Sequence, residues 1–107
     1  VLLIDIVIPI LNEEKILKEN KDYYQALKDQ ARVIFVDGGS QDASVALAQE
    51  FGEVVCSKPG RAFQKNTGAK EVRGEHILFL HVDTFLYVQI ALLVPLLYEN
   101  VVVRLHL

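Results

Sequence analysis

Cysteine occurs once, at Cys56, which excludes an internal disulfide and any thiolate zinc cluster. A reducing compartment, the cytoplasm, is the expectation. Basic residues are in the minority: 11 Lys and Arg against 14 Asp and Glu leave a formal charge of −3. That balance gives no electrostatic footing for nucleic acid, so any recognition of phosphate must be local and built from a few side chains. The opening apolar run lacks a basic leader and contains Asp5 and Pro9, so it reads as a buried strand and not as a secretory signal. Long apolar runs are lacking too. The longest, Phe85–Tyr98, is about fourteen residues with Pro95 inside it, short of the roughly twenty that a spanning helix needs. Internal repeats and low-complexity segments are absent.

What remains is a core-forming chain of 107 residues, 51% hydrophobic and 23% charged, long enough for one compact domain. Strand-like runs rich in Val, Ile, Leu or Phe stand at Asp5–Ile10, Val33–Val36, Val54–Cys56 and Ile77–Leu80, and residues 101–107 look like another. Helical stretches lie between them. The first, Glu13–Gln30, carries Ile16, Tyr23 and Leu27 on one face with Asn20 interrupting the stripe. The second, Asp42–Phe51, has Ser40 or Asp42 as cap and Gly52 as stop; the third, Ala62–Arg73, stops at Gly74. This alternation predicts an α/β fold with a mostly parallel sheet flanked by helices.

In such sheets ligands sit beyond the carboxyl ends of the strands. Polar residues concentrate there. The first strand leads into Pro9-Ile10-Leu11-Asn12-Glu13-Glu14, the second into Asp37-Gly38-Gly39-Ser40-Gln41-Asp42, the fourth into His81-Val82-Asp83-Thr84. Paired glycines permit positive φ and close approach of a ligand. Ser40 and Asp42 read as helix caps, whereas Asp37 reads as a ligand contact because a cap does not require it. The stretch Pro59-Gly60-Arg61 opens a helix, and Arg61 and Lys65, four apart, share a helical face and can reach one anion. A solvated basic face near Glu71 accounts for that pair equally well. His81 and Asp83 alternate in an extended segment and can face one ligand, with Asp83 suited to a divalent cation that bridges a diphosphate. The competing reading has Asp83 capping the next segment and His81 packed in the core.

Together these stretches resemble family 2 glycosyltransferases. Residues 7–14 (Val-Ile-Pro-Ile-Leu-Asn-Glu-Glu) are similar to that family's first strand and loop, and residues 36–42 (Val-Asp-Gly-Gly-Ser-Gln-Asp) to its second. Residues 60–69 (Gly-Arg-Ala-Phe-Gln-Lys-Asn-Thr-Gly-Ala) resemble its third, and Leu80-His81-Val82-Asp83-Thr84 stands where the family has Asp-x-Asp. A bacterial subgroup with His-x-Asp-Thr is the nearest resemblance. It implies a Rossmann-like GT-A nucleotide-binding half, a nucleotide-diphosphate sugar (a UDP-sugar first) as partner, and Mn2+ or Mg2+ as cofactor. Position by position, Pro9 and Asn12 would line the base pocket, with Glu14 of the same loop among the nucleotide-sugar contacts. Asp37 would meet the uracil or ribose, beside Gly38 where the family often has an aspartate. Arg61 and Lys65 would approach the base or diphosphate, His81 the ribose or metal, and Asp83 would ligate the metal.

The implied reaction is inverting transfer to an acceptor hydroxyl, whose carboxylate base the family places in its second half. Glu99 lacks motif context for that role, so the expectation is a single domain over residues 1–107 that supplies the donor side without the acceptor site. The apolar stretch Phe85–Tyr98 is expected to bury against that other half or against a second copy, through residues 85–107. Shallow contact with the inner face of a membrane is a further reading, although the basic face such helices use is lacking. The rival function is a non-catalytic α/β domain that dimerises through this segment. A sugar-1-phosphate nucleotidyltransferase lacks its glycine-rich, arginine-containing signature here, and a receiver-type phosphoacceptor domain lacks its acidic pair and late lysine.

Overall fold

The computed structural model describes residues 4–74 and 76–82, and the backbone of residues 103–105. The expectations for Asp83 and for the segment from Phe85 to Tyr98 lie outside the described residues, as does most of the interface expected over 85–107.

Five strands form one sheet: β1 (Ile4–Ile10), β2 (Arg32–Asp37), β3 (Glu53–Cys56), β4 (His76–Leu80) and β5 (Val103–Leu105). Their order is β3-β2-β1-β4-β5, and each pairing is parallel. The first four begin one residue before the runs read from the sequence. Strands covered on both faces show up as unbroken apolar runs.

The alternation of β1 sends its side chains to two layers. Ile4, Ile6, Ile8 and Ile10 join the larger core with Leu17, Tyr24, Leu27, Phe35 and Phe51. That face is covered by α1 (Glu14–Glu19), α2 (Lys21–Gln30) and α3 (Ser44–Ala48). Val7, on the other face, clusters with Ile34 and Val36, under α4 (Arg61–Lys70). Side chains such as Ile6 and Ile8 are fully buried, each contributing about 1.5–3 kcal/mol over leaving it exposed.

Close approach of α4 depends on Gly68. A Cβ there would lie 2.3 Å from Val7 Cγ1 and 2.9 Å from Val36 Cγ2, both on the sheet beneath. Gly52 has a similar cause and not the one expected: a Cβ would fall 2.4 Å from the Val33 carbonyl oxygen. Proximity to β2, not a left-handed helix stop, demands glycine at this position.

Three helix boundaries differ from expectation, each for a local reason. The first stretch is two helices. At Asn20 the backbone leaves the helical region (φ −128°), and the side-chain amide donates to the Ile16 carbonyl at 2.9 Å. Side chain-to-backbone bonds of this kind compete with a continuous helix. α3 is only five residues, because bonds from Glu50 N to Leu47 O and from Phe51 N to Ala48 O tighten its exit. α4 ends at Lys70, not Arg73, because Asp5 takes the amides that follow. Its Oδ2 accepts from Arg73 N and Gly74 N, both at 2.7 Å.

The pairing pattern also opens the site. β1 stays paired with β2 as far as Ile10–Asp37, whereas its pairing with β4 ends at Val7–Phe79. Pro9, two residues on, has no N–H to offer a ladder. The carboxyl ends of β1 and β4 therefore part, at the point where the strand order reverses. This is where open α/β sheets bind their ligands.

Candidate functional site

A cavity of about 230 Å3 lies between those parted strand ends. Pro9, Ile10, Leu11 and Glu13 line it from β1 and its loop, and Phe79, Leu80, His81 and Val82 from β4 and its exit. The first turns of α4 supply Arg61, Gln64 and Lys65. The lining is thus apolar along the strand ends and cationic along α4. Of the expected nucleotide-sugar contacts, the fold brings Pro9, Arg61, Lys65 and His81 to this one cavity.

The other four stand beside it: Asn12 and Glu14 tie the loops after β1 and β2 together, and Asp37 and Gly38 belong to the turn after β2. Asn12 adopts positive φ (53°), its amide donating to Ser40 Oγ and its Oδ1 accepting from Gln41 N, each at 2.8 Å. Glu13 N donates to Ser44 Oγ at 2.7 Å. Glu14 Oε1 accepts from Ala43 N, and Glu14 N donates to Asp42 Oδ2, both at 3.3 Å. Asp42 also accepts from the Ser44 hydroxyl at 2.5 Å, and this bond leads the interactions that hold its carboxyl below the usual range. The loops after β1 and β2 are therefore locked by reciprocal side chain-to-backbone bonds. None of the bonds between the two loops is visible as local spacing in the sequence; only the Asp42–Ser44 pair is local.

Asp37 is buried at the end of β2. Its Oδ2 accepts from Gly39 N and Ser40 N at 3.1 Å, and Oδ1 from Ser40 N at 3.2 Å. No helix is capped by this carboxylate; both of its oxygens serve the turn that follows β2. Gly38 is buried, and a Cβ there would meet the Gln64 amide at 3.1 Å and Pro59 Cα at 3.2 Å. An aspartate would not fit without displacing one of them.

Gln64 is the residue the sequence reading passed over. It lies three positions after Arg61, hence on the same helical face, and that spacing is the signal that could have found it. It is buried, with Nε2 donating to Ile10 O at 3.0 Å and to Val36 O at 2.9 Å. Its Oε1 accepts from Gly60 N at 3.3 Å.

Of the lining residues, Glu13 and His81 carry metal-ligating groups. Among the described residues no cluster of three or more His, Cys, Asp or Glu could hold a metal ion. The described residues also include no helix long and apolar enough to cross a membrane.

A family model described as Glycosyl transferase family 2 matches residues 5–103. None of the curated proteins matches the chain. Among solved structures, glucosyl-3-phosphoglycerate synthase from Mycobacterium tuberculosis in complex with UDP superimposes with a TM-score of 0.70 at 23% identity, over 92% of this chain and 41% of that one. S. aureus TarS 1-349 in complex with UDP gives 0.70 at 20% identity, over 92% and 32%. The mannosyltransferase from Pyrobaculum calidifontis in complex with GDP-Man and Mn2+ gives 0.66 at 19%, over 83% and 30%. The chain thus spans less than half the length of each of these three proteins. At these identities the likeness shows the fold, a parallel α/β sheet of the GT-A kind.

Proposed function

The chain belongs to glycosyl transferase family 2, and from that premise we propose that its cavity receives the nucleotide diphosphate of a sugar donor, a UDP-sugar first. The observation that carries this reading is the meeting of Arg61 and Lys65 with an apolar strand-end cavity at the sheet's switch point. An apolar wall suits a base, and two cations at the opening of a helix suit a diphosphate. At about 230 Å3 the cavity is smaller than the roughly 300–1,000 Å3 that encloses a whole drug-sized ligand. It therefore holds one part of the donor while the rest extends over the loops after β1 and β2.

In this reading Pro9 and Asn12 line the wall against the base, Asp37 meets the uracil or ribose beside Gly38, and Glu14 contacts the donor from the loop after β1. Arg61 and Lys65 bind the diphosphate, and His81 stands beside the ribose. Asp83 would hold Mn2+ or Mg2+ beside the donor's phosphates. The chemistry such a cation supplies is neutralisation of the charge on the departing diphosphate. Residues 1–107 act as the donor-binding unit of an inverting transfer, in which an acceptor hydroxyl attacks the anomeric carbon. The base that deprotonates it is assigned to no described residue.

Calorimetric titration of the protein with UDP and with a panel of UDP-sugars, with and without Mn2+, tests the proposal. Uptake that Mn2+ strengthens is the expected result. No heat with any nucleotide under either condition would remove it.

A further inference from the structure

We propose that Gln64 is a positioning residue for the donor: its side-chain amide fixes the cationic end of α4 against the ends of two strands. The inference deepens the reading of this cavity as a donor site and rests on it.

Three bonds from one buried amide carry the argument. Both Nε2 hydrogens are used, one on the carbonyl of Ile10 and one on that of Val36, at 3.0 and 2.9 Å. Ile10 ends β1, and Val36 is the next-to-last residue of β2. The remaining acceptor, Oε1, takes the amide of Gly60 at 3.3 Å, where the backbone turns through φ +130° immediately before Arg61. Two strand ends and the helix-opening loop are thus tied to one planar group, whose donors and acceptor are all engaged within about 3.3 Å. Sheet packing alone does not set the azimuth of the first helical turn. Gln64 sets it, and with it where the Arg61 and Lys65 side chains meet a ligand.

Gln64→Glu keeps the shape and deletes the donors. Ionised, the new carboxylate faces two carbonyl oxygens; protonated, it regains one donor. The variant should thus bind UDP about tenfold or more weakly than the unaltered protein near pH 8, since carbonyls lose their partner and meet a charge. The deficit relative to the unaltered protein should shrink as the pH falls to about 5.5, because burial beside carbonyls raises the pKa of a carboxyl. Gln64→Leu should bind weakly at both values, with a thermal melt recorded for each variant.

Parity of either variant with the unaltered protein near pH 8 overturns the inference. So does a deficit in the Glu variant that acidification leaves unchanged, which marks a contribution to stability alone. A further measurement needs no variant. The Gly60 amide, in an exposed turn, should exchange slowly with deuterium because Oε1 holds it; exchange at the rate of an open loop overturns the inference as well. If the unaltered protein takes up no nucleotide, the donor-site reading fails first and this inference with it.

Discussion

The Tyr24 hydroxyl donates a 2.5 Å hydrogen bond to the Val82 carbonyl, joining residues 58 apart in sequence. The Tyr24 ring is buried edge-on against Tyr23 and Phe35, with centroids 5.3 and 6.2 Å away, so the hydroxyl is aimed by the core itself. Through it α2 grips the exit of β4, at the last of the four residues that line the cavity from that strand. Tyr24→Phe removes one oxygen and leaves that buried carbonyl unpaired, at a cost of about 1–3 kcal/mol. The melting temperature should fall by roughly 4–8 °C for each kcal/mol. An unchanged melt would show that the carbonyl finds another partner.

Gly68→Ala probes the seating of α4. The added methyl would sit 2.3 Å from Val7 Cγ1, on a strand with pairing partners on both sides, so the helix must lift. Overpacking of this kind costs about 1–3 kcal/mol. Because Arg61 and Lys65 ride on the same helix, UDP affinity should fall together with stability. A chemical denaturation curve and a titration on the same sample check both.

The opposite end of the sheet offers a pH test. Arg32 donates through Nε and Nη2 to the Glu53 carboxylate, and this bond holds Glu53 below the usual carboxylate range. A depressed folded pKa means that the contribution is present in full above the ordinary glutamate value. It is lost as the pH falls through the lower, folded value. The Glu53 side chain is 50% exposed, so the contribution is held to under about 1 kcal/mol by solvent screening. Melts of the unaltered protein and of Glu53→Gln should differ slightly at neutral pH and converge in acid. A gap that widens on acidification would contradict the assignment.

How far the sequence could be read follows from which interactions are local. The ends of β1 to β4 were legible to one residue because buried parallel strands are written as continuous apolar runs. Arg61 and Lys65 were legible because helical spacing puts them on one face. Spacing places Gln64 on that face as well, but the strand-end carbonyls that it satisfies, like the amides that Asp5 takes, lie far off in sequence and become neighbours only after folding. The same applies to the exchange of Asn12 with the Ser40 hydroxyl and the Gln41 amide. Asp37 shows a further limit: an acidic residue at a strand end reads as a ligand contact, and the spacing does not reveal that its carboxylate also braces its own turn.

Central to the account is that nucleotide enters between the ends of β1 and β4 and nowhere else among the described residues. Amide chemical-shift mapping during a UDP and Mn2+ titration tests this most directly. The account predicts shifts confined to residues 10–13, 60–65 and 79–82 and the loops that border them, abolished or shifted to far higher UDP concentration by Arg61→Ala. Perturbation centred instead on the surface hollow at residues 18–23, or an Arg61→Ala titration that overlays the unaltered one, would contradict it.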